Sequence, residues 1–134
     1  VMEDWGMDQK SWSNGVAYGD LDNDGDLDLV VNNIDEEAFV YENNHNDDHY
    51  IRFKFKGPQN NTFGIGTKVK IYLDSGYQYQ QHYLARGYRS SMEPVLHFGL
   101  GQEEEPFDLT LRFPGGEIRL IKIDEINQKI LIKE

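Results

Sequence analysis

Cysteine is missing from the 134 residues, which removes disulfides, thiolate metal sites and cysteine nucleophiles together. Long apolar runs are missing as well, and with a mean hydropathy of −0.69 no segment is suited to cross a membrane as a helix. Positive charge is scarce, with a formal net charge of −11 and a pI near 4.7. Such a chain repels nucleic-acid phosphates. The shortage is local: residues 1–50 hold 14 acids and a single lysine, whereas the rest of the chain holds 10 acids and 12 bases. Helical periodicity is lacking over any ten residues. No charged-then-apolar leader opens the sequence, and Val1 begins inside acidic, aromatic material, which suggests a piece of something longer.

What the first part does contain is a nine-residue acidic stretch, Asp20-Leu21-Asp22-Asn23-Asp24-Gly25-Asp26-Leu27-Asp28. Carboxylates recur at positions one, three, five, seven and nine, with glycine at six. So many anions repel one another in an empty loop, while a hard divalent cation needing six to eight oxygens turns the repulsion into coordination. An acidic turn that merely aids solubility has no need of this spacing. Calcium is the expected ion, held by side-chain oxygens of Asp20, Asp22, Asp24 and Asp28, by the backbone carbonyl of Asp26, and by water. Magnesium, which demands tight octahedral geometry and keeps several waters, suits the pattern less. Gly25 supplies the positive φ that folds the loop back. The helical calcium hand is excluded, because it needs a glutamate at position twelve, and here Val31 stands there.

The flanks read as strands at about 14–19 and 27–32, with a third over Ala38–Glu42. These predict a three-stranded antiparallel meander, preceded by an extended lead-in over Val1–Ser13. Asn43–Asp48 is polar throughout and is the expected linker, dividing the chain into domains 1–46 and 47–134. Beyond it the period is two: Ile51, Phe53, Phe55; Val69, Ile71; Phe107, Leu109, Leu111, Phe113. Phe113-Pro114-Gly115-Gly116 predicts a tight turn joining 107–113 to 117–123, with glycine at the second central position. The apolar phase slips from Ile118 and Leu120 to Ile121 and Ile123, which predicts a bulge or a strand end. A last strand is expected over 129–133. The fold class is therefore all-β, the meander being followed by an antiparallel β-sandwich or barrel.

Two resemblances cover nearly the whole chain. Trp12–Gly19 running into the aspartate loop, then Leu29–Asn33 and Phe39–Asn44, resembles the FG-GAP/VCBS repeat, a propeller blade with a calcium loop. Residues 47–134 resemble the ASPIC/UnbV domain through Asn60–Val69, Gly87–Ser91, Leu96–Gly101 and Leu111–Gly116, with Phe113 where that family commonly has tryptophan. The resemblances imply a three-stranded propeller-blade-like meander before the sandwich. They also imply a non-enzymatic, calcium-binding module of a secreted or cell-surface protein, in the periplasm or on the outer-membrane surface if bacterial, with surface proteins or glycans as partners in adhesion. A single blade cannot close a propeller, so its unpaired edge must be covered by the following domain or by another copy.

Two further readings remain open. Tyr77, Tyr79 and Tyr83 fall on one face of a strand, with Gln78, Gln80 and His82 on the other, an arrangement that suits a carbohydrate-binding module as well as core packing. An accessory domain of a hydrolase would need two carboxylates that meet in space, or Ser90 or Ser91 beside a distant histidine, though no G-x-S-x-G elbow is present. The four histidines have no spacing typical of zinc ligands. Gly64, Gly66, Gly99 and Gly101 precede no helix and read as turns and close strand contacts.

Overall fold

A computed structural model describes residues 5–45, 47–104 and 106–134. Part of the expected lead-in (residues 1–4) and Asn46 of the expected linker lie outside the described residues. Among those described there are ten strands and no helix. The chain divides into two compact units, Val1–Asn46 with Ala85–Glu93, and Asp47–Leu84 with Pro94–Glu134. A linear boundary at residue 46 assigns 85–93 to the second domain; the structure groups that segment with the first.

The first unit is one sheet in the order β1-β2-β3, from β1 (Ser13–Gly19), β2 (Asp28–Asn33) and β3 (Phe39–Tyr41). Both pairings are antiparallel, and the β1–β2 ladder ends at Gly19 opposite Asp28, so the aspartate loop closes that hairpin. Asn33 is buried and ties the other end together, accepting from the Ser13 hydroxyl at 2.8 Å and donating to the Glu37 carbonyl at 2.8 Å. Segment 85–93 meets the outer edge of β1. The Ser90 hydroxyl accepts from the Val16 N–H at 3.2 Å and donates to the Tyr88 carbonyl at 2.9 Å, and the Met92 sulfur lies 3.3 Å from the Tyr18 nitrogen. A Cβ at Gly15 would come within 3.3 Å of the Ser90 Oγ, so glycine permits this approach. The edge that the sequence left unpaired is thus met by the chain's own residues at β1, while β3 forms the opposite edge.

The second unit is a sandwich of two sheets. One has the order β10-β4-β7, from β4 (His49–Lys56), β7 (Val95–Gly101) and β10 (Gln128–Lys133); the other has the order β6-β5-β8-β9, from β5 (Lys68–Leu73), β6 (Gly76–Gln81), β8 (Phe107–Arg112) and β9 (Ile118–Ile123). Every second residue points inward, so Ile51, Phe53, Phe55, Leu96 and Phe98 from the first sheet meet Val69, Ile71, Leu109 and Leu111 from the second in one core. Phe53 and Phe98 pack edge to face with centroids 5.8 Å apart, a favoured ring geometry. The sheets are not antiparallel throughout: β10 pairs with β4 in parallel. Asn127 makes that pairing possible. At φ +56°, a conformation asparagine tolerates, it donates its N–H to the Tyr50 carbonyl at 2.7 Å and accepts the Tyr50 N–H on its side chain at 3.0 Å.

The β8–β9 connection meets one expectation and corrects another. The Gly116 N–H donates to the Phe113 carbonyl at 2.9 Å, so Pro114 and Gly115 are the central residues of the tight turn as expected, and the positive φ (+93°) sits on Gly116. This is a turn followed by a left-handed glycine, a common hairpin closure. No register shift occurs within β8–β9. The apolar slip instead reflects Ile118 and Leu120 facing solvent, 61% and 80% exposed, while Ile123 is buried.

Residues 60–67 form a loop that leads into β5 at Lys68. Asn61 grips Ile65 through both side-chain atoms, at 2.9 Å each, and Gly66 and Thr67 pair with His82 through the backbone. Gly64 sits at φ +63°, and a Cβ there would fall 2.6 Å from the Phe55 Cβ. Glycine is required on both counts.

Candidate metal centre and surface groove

The aspartate loop is folded by its own side chains. The Asp24 N–H donates to Asp22 Oδ1 at 3.2 Å and the Asp26 N–H to Asp24 Oδ1 at 3.0 Å, so each carboxylate caps the backbone two residues on. Asn23 and Gly25 take the positive φ values of +66° and +105° that turn the chain. Asparagine and glycine are the residues for which that conformation costs least.

This backbone brings oxygens of Asp20, Asp22 and Asp24 within 4.8 Å of one another, with Asp20 buried and the other two exposed. Oxygens on opposite sides of a calcium ion bound at about 2.4 Å stand roughly 4.8 Å apart, so the three fit one coordination sphere. The donor set, all hard anionic oxygen, is what such an ion takes.

The carboxylates of Asp26 and Asp28 do not join that group; the expected ligand from Asp26 is its backbone carbonyl. Asp28 lies at the base of the loop, 2% exposed, where one oxygen accepts the Leu21 N–H at 2.8 Å and the other the Asn43 N–H at 2.9 Å. It clasps the loop to the segment that follows β3. The Asp26 pKa is shifted chiefly by burial. Burial, then the Asp24 charge, push its carboxyl above the ordinary carboxylate value, Asp28 adding to the rise and His45 opposing it through its charge and its backbone N–H. A raised carboxyl pKa stabilises the fold at low pH, and that stability is lost as pH rises through it.

The tyrosine strand lies at the surface. Tyr77 and Tyr79 lie on β6 and Tyr83 just beyond it, and all three are exposed, at 65%, 52% and 49%. They are not core. Gln78 and Gln80, which the sequence offered as sugar-binding amides, are committed elsewhere. Their side chains donate to the Gly99 and His97 carbonyls of β7 at 2.7 Å each. In this way β6, at the border of one sheet, caps the border of the other.

On the outward face of β5, β6 and β8 lies a groove of about 290 Å³ lined by Lys68, Lys70, Tyr72, Tyr79, Thr110 and Arg112. Tyr77 and Tyr83 do not line it. The Lys70 ammonium stands 3.9 Å from the Tyr77 ring centroid and 4.8 Å from that of Tyr72, a cation–π arrangement. Only Tyr79 of this set came out of the sequence reading. The signal for the rest was the alternation itself, whose outward positions on β5 and β8 are these lysines, Tyr72, Thr110 and Arg112. Ser90, weighed for nucleophilic catalysis, spends its hydroxyl on two backbone groups.

No curated protein matches the chain. Residues 57–134 match the family model described as ASPIC and UnbV, a domain found in extracellular or surface proteins. That match takes in more than half of the sequence and all of β5 to β10, and the chain belongs to the ASPIC and UnbV family.

Proposed function

We propose that the chain is a non-enzymatic, calcium-stabilised interaction module of a secreted or cell-surface protein. In this reading residues 1–46 are a propeller-blade repeat of the FG-GAP/VCBS kind, and calcium joins Asp20, Asp22 and Asp24. The observation that carries it is the gathering of three carboxylates within 4.8 Å on a loop whose backbone is already folded around them. The ion would be structural: it would sit among the three carboxylates and fix the β1–β2 connection. Extracellular modules bind calcium with dissociation constants of about 0.1–1 mM. At about 1 mM calcium and a constant of about 0.1 mM, binding adds roughly 1.4 kcal/mol to stability.

The test is a thermal melt in calcium, in magnesium and in chelator, with Asp22→Asn/Asp24→Asn as control. Calcium is expected to raise the melting temperature of the parent chain and to leave the variant where chelator puts it. No shift, or an equal shift with magnesium, rejects the reading.

A second reading, a carbohydrate-binding module, is favoured by the exposure of Tyr77, Tyr79 and Tyr83. Aromatic faces stack on sugar rings while their hydroxyls meet polar groups.

A further inference from the structure

The outward face of the four-stranded sheet carries positive charge on a chain whose net charge is −11. The register sets its rows. Lys68 stands opposite Arg112 on one side and Gln81 on the other; Lys70 stands opposite Thr110 and Tyr79; Tyr72 stands opposite Asp108 and Tyr77. Like charges directly opposite in a sheet repel, and Lys68 with Arg112 is such a pair. Lys70 follows two residues along the same strand, about 7 Å away. Among the described residues no carboxylate pairs with Lys68, Lys70 or Arg112. Asp108, which shares the face, has Lys122 as its cross-strand neighbour on β9.

Three clustered cations therefore repel one another beside a groove walled by Tyr72 and Tyr79, and an anion laid between them would relieve that repulsion. Aromatic walls select a ligand with flat apolar faces, and Thr110 adds a hydroxyl. The groove draws its lining from three adjacent strands, β6, β5 and β8, so a chain laid across them meets Tyr79, Lys70 and Arg112 in turn. We infer that the groove lined by Lys68, Lys70, Tyr72, Tyr79, Thr110 and Arg112 binds an acidic polysaccharide, its carboxylates or sulfates on the cations and a sugar face on the tyrosines. This rests on the carbohydrate-binding reading and narrows it to anionic chains; it does not need the aspartate loop.

The exposed pair Ile118 and Leu120 sits on β9, opposite Arg112 and Thr110. It would anchor an acidic protein partner but has no role in gripping a sugar chain. That contrast supplies a control.

The experiment measures binding of the full chain, in chelator, to alginate (carboxylate only), dextran sulfate (sulfate only) and neutral dextran. The wild type is expected to bind one or both acidic polymers at least about tenfold more tightly than neutral dextran, with affinity falling in high salt. The overall negative charge opposes non-specific retention. The variant Lys68→Ala/Lys70→Ala/Arg112→Ala, all at outward positions, should keep its melting temperature and lose roughly tenfold or more. Tyr79→Ala should lose binding to the same polymers, and Leu120→Ser should not. Equal binding to neutral dextran would keep the carbohydrate reading and overturn the acidic one. No binding to any of the three polymers, or unchanged binding by the triple variant, overturns the proposal. So does loss through Leu120→Ser, or a salt-sensitive dimer abolished by the triple variant. The last result would mean that the acidic unit of a second copy occupies the face.

Discussion

The two units of this chain are held together by opposite means. Among the described residues, all fourteen buried apolar side chains, from Ile51 to Ile132, belong to the sandwich. The first unit buries Asp20, Asp28 and Asn33 instead, and leaves Trp12, Leu21 and Val40 at 78%, 57% and 64% exposure. One unit rests mainly on water exclusion, though it also buries Arg52, Thr67 and His82. The other rests on hydrogen bonds to buried polar groups, each of which is costly to lose and nearly neutral to make. A hydrogen-bonded scaffold with three crowded carboxylates has a reason to recruit a cation; an apolar core has none.

The sharpest way to break this contrast is to delete the same kind of side chain in both places. Leu109→Ala, at a site with no exposure, should cost the sandwich about 2–5 kcal/mol in urea unfolding. Val40→Ala in the meander should cost no more than about 0.5 kcal/mol. Comparable losses would mean that the first unit has an apolar core after all.

Polar substitution should reverse the order. Asp28 receives two backbone N–H groups on its two oxygens, and asparagine offers only one oxygen in the same place. Asp28→Asn should therefore cost roughly 1.5–3 kcal/mol, since hydrogen bonds to a charged acceptor are the stronger kind. Amide exchange would locate the loss: Leu21 and Asn43 should exchange faster, while β4 and β8 keep their protection. Unchanged exchange at those two amides would remove Asp28 as the clasp of the loop.

The contrast also explains what could be read from the sequence. Period-two alternation in Ile51–Phe55, Val69–Leu73 and Phe107–Phe113 locates strands well because burial on one face dictates it. The spacing of Asp20, Asp22 and Asp24 is equally legible, being local chemistry. Two features are not local. The parallel pairing of β10 with β4 depends on Asn127 in a left-handed conformation gripping Tyr50, 77 residues away. Segment 85–93 meets β1 through Ser90, 74 residues from Val16. Neither leaves a periodic trace. Asp28 looked like its neighbours in the motif, and its burial with two backbone donors sets it apart from the exposed Asp22 and Asp24. The Ile118 to Ile123 slip misled because exposed apolar side chains imitate a change of face.

The border between β6 and β7 tests how far water exclusion alone sustains the sandwich. Gln78 and Gln80 cap two carbonyls of β7 that have no partner strand on that side. Gln80→Ala leaves the His97 carbonyl to find water, so it should cost about 1 kcal/mol, read as a lower urea midpoint at unchanged slope. It should also bare a sheet border able to pair with another chain, which concentration-dependent sedimentation would detect as self-association absent from the parent. If stability and sedimentation are both unaltered, the glutamines are ornaments on a core that needs no polar help, and the division between the two units is more complete than the hydrogen bonds imply. A measurable loss places polar bonding in both units, differing in degree: decisive in the meander, supplementary in the sandwich.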